Sequence, residues 1–396
     1  MNVFRKDSGI GETETDDAAK KNLLAKKWTA VVRLQRKVME LEGKNKRLQD
    51  DMDRYGSSAK YAKGKLRKDY MPKDPARHCL KGHRGIVTCV SFHPDFTVVA
   101  TSAEDAAVKL WDYETGEFER TLKSHINAVN HVDFNPKGTL LASCSADLSI
   151  KLWSTKTYSV IKTLVGHDHN VSAARFLPSG ALFSCSRDST IRLWDPSTGF
   201  STQMLTGQDG WIRDVVCSAD GGLLASCSTS QTIVVWKMPA GVKMTTLTGH
   251  EHVVEAVAFS NANFDASMKT ARAEAEGKTV IDTGRKNEAG SGGRFLASAS
   301  RDKTIRVWDV NTGSCVAVLT GHDNWVRGVA FHPEGRFVLS VSDDRTLRVW
   351  DVAKRKCTRT IRDAHEHFAQ CIAIHPKLPL IATGGVDAVA KIWEGC

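Results

Sequence analysis

The sequence lacks the features of a membrane protein or a secreted protein. It contains no run of about 18 apolar residues, the length that a transmembrane helix needs. Its N-terminus, MNVFRKDSGIGETETDD, has no apolar core and so does not form a secretory signal. We therefore expect no insertion of the chain into a membrane.

The sequence also lacks a CxxC pair, although it has ten cysteines. They are scattered, and several lie in apolar segments typical of strands, namely Cys144, Cys185, Cys227 and Cys371. This distribution indicates reduced core thiols in an intracellular protein.

Residues 81–396 have little excess charge of either sign. The net charge is +10, and residues 1–80 carry +8 of it, with 20 Lys or Arg against 12 Asp or Glu. A nucleic-acid-binding protein more often spreads its basic residues over the folded domain. The basic excess therefore predicts a solvated helix and linker, and no nucleic-acid partner.

What the sequence does contain is one pattern repeated seven times. Each copy has a strand that ends in tryptophan, as in VKLW and IRVW; these residues are Trp111, Trp153, Trp194, Trp236, Trp308, Trp350 and Trp393. A turn precedes each tryptophan by 27 or 28 residues, except in the fifth copy, where the step is 58; the turn residues are His83, His125, His167, Gln208, His250, His322 and His365. Four short strands per copy, Gly-His near the start and Trp-Asp near the end, are typical of WD-repeat β-propellers. Residues 77–396 resemble that family, so we expect an all-β, seven-bladed propeller.

The polar residues of the repeat predict a hydrogen-bonded chain inside each blade. Six repeats have an aspartate six residues before the tryptophan: Asp105, Asp147, Asp188, Asp302, Asp344 and Asp387. Buried polar groups must be satisfied together, so we expect His, Ser or Thr, Asp and Trp to bond to one another. Repeat four has Gln208 and Ser230 in place of His and Asp, and its blade should be the weakest.

Two segments depart from the repeat. Residues 77–80 precede the first Gly-His turn as a fourth strand precedes the others, so we expect them to pair with the last blade and close the ring. Residues 262–293 interrupt repeat five and are rich in Gly, Ser and charge, which indicates a mobile loop. A short helix at 265–276 is a weaker alternative.

No residues form a catalytic or metal-binding constellation. A His, Ser and Asp set that recurs in blade after blade is structural, whereas an enzyme needs one triad in one cleft. HxH pairs begin at His167, His250 and His365, but each of these histidines belongs to a blade, and no Cys or carboxylate completes a site. AEAEGKT at 273–279 lacks the first glycine and the preceding strand of a phosphate loop. We expect no enzyme activity, metal or cofactor.

Residues 20–53 predict a long helix with a coiled-coil seam. Apolar residues and one asparagine follow a 3-4 spacing over three heptads: Val31, Leu34, Val38, Leu41, Asn45, Leu48 and Met52. An asparagine in the seam is the usual device for fixing register in a two-stranded coil, so we expect a parallel homodimer. The alternative is a helix that packs on its own domain. Residues 54–76 are polar and predict a linker.

Several segments resemble one branch of the WD-repeat family more closely than they resemble a generic blade. AKKWTAVVRLQRKVMELE at 25–42, GHDHNV at 166–171, HEHVVE at 250–255 and GHDNWVRGV at 321–329 are similar to the lissencephaly-1 family of dynein regulators. The resemblance implies a homodimer that binds the cytoplasmic dynein motor domain and NudE-type coiled-coil scaffolds. It also implies work in nuclear migration, spindle positioning, mitosis and transport, in the cytoplasm, on the cytoskeleton and at the centrosome or spindle pole. Residues 1–19 hold at most the end of the family's LisH helix pair and otherwise predict disorder.

Two other functions stay open at this point. In animals the family also supplies the noncatalytic subunit of a platelet-activating-factor acetylhydrolase. A nuclear LisH/WD-repeat scaffold of transcription complexes would have a similar layout. The identity of the proteins captured by the chain would separate the three possibilities.

Six large residues near the turns predict the interaction surface. They are Arg187, Trp211, Arg213, Arg301, Trp325 and Arg327. Packing alone does not require Trp and Arg there, because other repeats hold Asn170 and Ser172, or Val253 and Glu255, at the equivalent positions. Trp and Arg dominate binding hot spots, so we expect one aromatic-basic patch for an acidic surface of the motor.

Overall fold

The computed structural model describes residues 71–275 and 293–395. The predicted coiled coil at 20–53, the segment 1–19 and most of the predicted linker lie outside the described residues. The same is true of residues 276–292 of the insertion.

The described residues form seven antiparallel sheets of four strands each. In chain order the strands are β1 (His78–Lys81), β2 (Val87–Phe92), β3 (Val98–Ala103), β4 (Ala107–Asp112), β5 (Phe118–Lys123), β6 (Val129–Phe134), β7 (Leu140–Ser145), β8 (Ser149–Ser154), β9 (Val160–Val165), β10 (Val171–Phe176), β11 (Leu182–Ser186), β12 (Ile191–Trp194), β13 (Ser201–Leu205), β14 (Ile212–Cys217), β15 (Leu223–Ser228), β16 (Ile233–Lys237), β17 (Val242–Leu247), β18 (Val254–Phe259), β19 (Phe295–Ser300), β20 (Ile305–Asp309), β21 (Ser314–Leu319), β22 (Val326–Phe331), β23 (Phe337–Ser342), β24 (Leu347–Asp351), β25 (Lys356–Ile361), β26 (Ala369–Ile374), β27 (Leu380–Gly385) and β28 (Val389–Glu394). Blades 1 to 6 are the consecutive groups from β2–β5 to β22–β25, and blade 7 combines β26, β27 and β28 with β1. The expected seven-bladed propeller is confirmed.

Burial along the strands follows their position in the blade. The second strand of a blade is covered on both faces by neighbouring blades, so it is a continuous buried run, as in FVLSVS of β23. The outermost strand alternates buried and exposed residues, as in KCTRTI of β25. This gradient places the apolar core between adjacent blades and leaves polar residues on the outer rim.

The ring closes through its first strand, as the sequence predicts. β1 pairs antiparallel with β28, with His78 opposite Ile392 and Leu80 opposite Ala390, and Leu80 is fully buried. The contact extends beyond the expected strand, because Pro72 bridges to Gly395. The end of the predicted linker therefore lies against blade 7, and every sheet in the ring has four strands.

The insertion begins with a helix, so the weaker alternative of a helix at 265–276 is confirmed with a start three residues earlier, and the prediction of a mobile loop is wrong for the first 14 residues. Helix α1 (Ala262–Ala275) follows β18. The side-chain oxygen of Asn261 accepts the backbone N–H of Phe264 at 2.8 Å, which caps the helix start. Phe264 is fully buried, with its ring 4.5 Å from that of Phe331 in blade 6. The buried ring of Phe264 anchors the helix, and Met268 packs against the same core. No helix in the described part of the chain is long and apolar enough to cross a membrane.

Candidate protein-interaction face

The predicted hydrogen-bonded chain forms in each of the six blades that carry His and Asp. In blade 6, Asp344 lies 2.7 Å from His322 Nδ1, the Ser340 hydroxyl lies 2.7 Å from His322 Nε2, and Trp350 Nε1 donates to that hydroxyl oxygen at 2.8 Å. The corresponding sets of the other blades are His83, Thr101, Asp105 and Trp111; His125, Ser143, Asp147 and Trp153; His167, Ser184, Asp188 and Trp194; His250, Ser298, Asp302 and Trp308; and His365, Thr383, Asp387 and Trp393.

The protonation states of His322 and Asp344 fit a structural role for the hydrogen-bonded chain in the blade. Burial lowers the pKa of His322, although the Asp344 carboxylate opposes this effect. Burial would raise the pKa of Asp344, but hydrogen bonds from His322 and Thr346 outweigh it, so its pKa lies below the ordinary value. At neutral pH the imidazole is neutral and its Nδ1–H donates to a carboxylate. The Ser340 side chain is fully buried, so no substrate can reach its hydroxyl.

Blade 4 rebuilds a shorter version of the chain. Ser226 donates to the amide oxygen of Gln208, the Gln208 amide nitrogen donates to the Ser226 carbonyl at 3.1 Å, and Trp236 donates to the Ser226 hydroxyl oxygen at 2.9 Å. Among the residues that the structure describes, the Ser230 side chain bonds to two neighbouring hydroxyls, those of Ser228 at 2.6 Å and Thr232 at 2.9 Å. Within that part of the protein, the hydrogen-bonded chain of blade 4 ends at Gln208 and reaches no carboxylate.

A ring of seven equivalent residues surrounds one mouth of the central channel, beside the Gly-His turns. Each is the second residue of the innermost strand of its blade, and a β-bulge leaves each of them out of the ladder: Thr88, Asn130, Ser172, Arg213, Glu255, Arg327 and Gln370. Bulges of this kind re-aim a side chain and are common at functional sites. All seven line a cavity of about 260 Å³, which we call the channel mouth.

The predicted tryptophans stand beside this mouth, each with an arginine against its ring. The Arg187 guanidinium lies 4.9 Å from the centre of the Trp211 ring, and the ring of His169 lies 6.4 Å away. Trp211 is 48% exposed although it is one of the largest side chains. Because indole rings and guanidinium groups attract each other, this pair forms an ordered, exposed aromatic-basic surface. We call it the Trp211 cluster.

Trp325 has two arginines against its ring. The guanidinium groups of Arg301 and Arg327 lie 4.4 and 4.9 Å from the ring centre. The ring of His252 lies 6.3 Å away, in the same relation as His169 has to Trp211. We call this set the Trp325 cluster. The two clusters repeat one arrangement, first between blades 3 and 4 and again between blades 5 and 6.

Three of the predicted arginines share one counter-ion, Glu255. Its role was not predicted from the sequence. Glu255 accepts hydrogen bonds from Arg213 at 2.7 and 3.0 Å and from Arg327 at 3.4 Å, and it also pairs with Arg301. Its side chain is only 4% exposed. On the other side, Asp343 holds Arg327 at 2.9 Å. The face is therefore not a simple basic patch, because most of its positive charge is already paired.

Comparison with known proteins identifies the family. The chain matches the model of the WD domain, G-beta repeat, at residues 75–112, 116–154, 158–195, 199–237, 290–309, 313–351 and 355–394. It is 53% identical over 392 residues to the Lissencephaly-1 homolog of Dictyostelium discoideum, covering 99% of this chain and 92% of that protein. The chain belongs to the WD-repeat family of lissencephaly-1 homologues. It is also 53% identical over 379 residues to the Lissencephaly-1 homolog of Heterostelium pallidum, covering 96% and 90%. It is 46% identical over 379 residues to the Nuclear distribution protein PAC1 of Coccidioides posadasii, covering 92% and 78%.

The repeat positions reveal one further residue of this face. Trp211 and Trp325 lie three positions after their turn residues, and blade 7 of this family member has Phe368 there, 37% exposed. Phe368 is not among the six residues predicted from the sequence. Aligning each repeat on its turn residue would have found it.

Proposed function

We propose that this chain is a noncatalytic regulator of cytoplasmic dynein that binds the motor domain through the face at the channel mouth. The observation that carries the proposal is the pair of ordered Arg-Trp clusters on that face, in a chain related to lissencephaly-1 homologues and nuclear distribution proteins. Exposed tryptophan held by arginine is the composition of binding hot spots.

The charge of Arg187 favours an acidic group on the partner. Among the described residues, no ion pair joins Arg187 to a carboxylate, whereas Arg213, Arg301 and Arg327 all contact Glu255. Burial and the nearby charge of Arg213 lower the pKa of Arg187, so this guanidinium would gain most from a partner's carboxylate. We therefore expect the motor to place an acidic group over the Trp211 cluster.

We propose that the chain regulates the motor by thermodynamic linkage between binding and motor conformation. A propeller that binds one motor conformation more tightly than another shifts the motor toward that conformation, without chemistry in this chain. If residues 20–53 join two chains, two propellers can act on one dynein with avidity. NudE-type scaffolds are the second partner, and the proposed roles are nuclear migration, spindle positioning, mitosis and transport, with location in the cytoplasm, on the cytoskeleton and at the centrosome or spindle pole.

The test is a titration of the full chain against a purified dynein motor domain. The Arg301→Ala/Trp325→Ala variant should bind roughly 10-fold or more weakly than the wild type, because it removes two hot-spot side chains. The matched control is Phe200→Ala/Lys243→Ala, which removes an exposed aromatic residue and a cation from the rim of blades 3 and 4. Equal binding by both variants would place the interface elsewhere on the ring.

The same chain used as bait separates the other candidate functions. Capture of the dynein heavy chain supports the proposal. Capture of a small hydrolase, or of chromatin factors, without the heavy chain would favour the acetylhydrolase subunit or the nuclear scaffold.

A further inference from the structure

The seven residues around the channel mouth contain a single carboxylate. Thr88, Asn130, Ser172, Arg213, Arg327 and Gln370 are neutral or cationic, and only Glu255 is anionic. Blade 5 places it between the blades that carry Arg213 and Arg327 at the same position. A carboxylate there faces an arginine on each side, and Arg301 of its own blade completes the set.

Both oxygens of Glu255 are fully engaged. Oε2 accepts two hydrogen bonds, from Nε and Nη2 of Arg213, and Oε1 contacts Arg301 and Arg327. The side chains of the three arginines are 15 to 24% exposed. Three partly buried guanidinium groups repel one another, so a shared carboxylate is needed to hold them together.

The charge state of Glu255 agrees with this geometry. Burial would raise its pKa, but the positive charges of Arg213, Arg327 and Arg301 outweigh burial and lower it. The carboxylate is therefore ionised at neutral pH. A neutral side chain at 255 would leave the arginines without their common counter-ion.

The Trp211 cluster provides an internal comparison. Arg187 holds Trp211 with no ion pair to a carboxylate among the described residues, whereas the Trp325 cluster has Glu255 behind it. Arg301 and Arg327, the two arginines against Trp325, are both bound to Glu255. The same Arg-Trp arrangement thus occurs once with and once without a buried anchor.

We propose that Glu255 is the positioning residue of this face: it fixes Arg301 against Trp325 and Arg213 at the channel mouth, and it shares Arg327 with Asp343, in the arrangement that the partner meets. The inference has two halves. The binding half, that this positioning strengthens binding of the motor, rests on the proposed function. The positioning half, that Glu255 holds the arginines in place, does not. Groups that are ordered before binding lose less entropy when a partner docks, so the anchor strengthens binding without touching the partner.

Chemical modification of arginine tests the positioning half on the full chain, without any partner. Phenylglyoxal reacts with accessible guanidinium groups, and mass spectrometry gives the rate at each arginine. In Glu255→Gln, a near-isosteric change, modification of Arg213 and Arg301 should become several-fold faster, while Arg120 on the outer strand β5 keeps its rate. In Asp343→Asn, only Arg327 should react faster. Unchanged rates at Arg213 and Arg301 in Glu255→Gln would overturn the proposal.

Titration against the dynein motor domain tests the binding half. Glu255→Gln should weaken binding by roughly 10-fold, although the residue itself is buried. The control is Glu119→Gln, which neutralises an exposed carboxylate on the outer strand β5 of blade 1 and should bind like the wild type. Wild-type binding by Glu255→Gln would contradict the binding half. Failure of the wild type itself to bind would refute the proposed function, while the modification rates would still decide the positioning role.

Discussion

At the scale of single residues, the hydrogen-bonded chain inside a blade depends on one hydroxyl group. In blade 6, Ser340 Oγ bonds both to His322 Nε2 and to Trp350 Nε1, at 2.7 and 2.8 Å. Its removal leaves two buried ring nitrogens without a partner. Because an unsatisfied buried polar group costs more than a missing bond, this small side chain carries a large share of the blade's polar stability.

Replacement of that hydroxyl should therefore be costly. Ser340→Ala should lower the free energy of unfolding by about 1 to 3 kcal/mol, measured by urea denaturation. The control is Ser314→Ala on the exposed rim of blade 5, where a change within about 0.5 kcal/mol is expected. Equal effects of the two substitutions would mean that the chain adds nothing beyond packing.

Residue roles were predictable where they depend on position within one repeat. His322, Asp344 and Trp350 could be named because each lies at a fixed step from the turn. Glu255 could not be, because its role depends on Arg213 and Arg327, which come from the two neighbouring blades. The repeat pattern predicts which residues bond to one another within a blade. Contacts between neighbouring blades depend instead on the direction in which each side chain points at the β-bulge, which the pattern does not give.

At the scale of elements, blade 4 is the irregular one. Gln208 fills the histidine position, and Ser230 stands where the other blades have an ionised aspartate. Placing histidine at 208 alone, or aspartate at 230 alone, supplies one partner of the His-Asp pair. An imidazole without its carboxylate, or a buried carboxylate without its imidazole, adds little to the free energy of unfolding.

The two restorations should therefore be coupled. Gln208→His and Ser230→Asp together should raise the free energy of unfolding by about 0.5 to 3 kcal/mol more than the sum of the single changes. A double-mutant cycle followed by urea unfolding measures this difference. Strict additivity would show that the buried chain is not cooperative and that blade 4 is no weaker for lacking it.

Helix α1 shows where the favoured prediction, a mobile loop, failed. The strands were recognisable because their pattern recurs, but the insertion occurs once and its average composition is polar. The helix forms because Phe264 enters the core beside blade 6 and Asn261 caps its first turn. Tertiary contacts, including the Arg294 N–H bond to Asp265 and the Asn263 bond to the Pro333 carbonyl, outweighed the local composition.

At the scale of the whole molecule, buried histidines connect stability to pH. Burial lowers the pKa of His375 to about 4, and its Nδ1 accepts the backbone N–H groups of Lys377 and Leu378 at 3.0 and 2.9 Å. Protonation would break both bonds. Since the folded pKa lies below the ordinary value of about 6.5, the stability from neutral His375 is complete above pH 6.5 and is lost as pH falls toward 4.

Acidification should consequently destabilise the propeller less when this histidine is absent. Asn135 occupies the equivalent position in blade 2 and accepts the Leu140 N–H at 2.9 Å, so His375→Asn preserves an acceptor. Between pH 7.5 and 5, the loss of unfolding free energy should be smaller by about 1 to 2 kcal/mol in His375→Asn. Parallel pH profiles of the two proteins would show that His375 does not contribute in this range.

A hydrogen-exchange footprint of the full chain, with and without the dynein motor domain, shows directly whether the channel-mouth face binds the motor. We expect slower exchange at the turns of blades 4 and 6, residues 208–213 and 321–327, which carry Trp211 and Trp325. The outer strands β5 and β13 should be unchanged. Protection confined to the outer strands, with free exchange at both turns, would contradict the proposal that the channel-mouth face binds the motor.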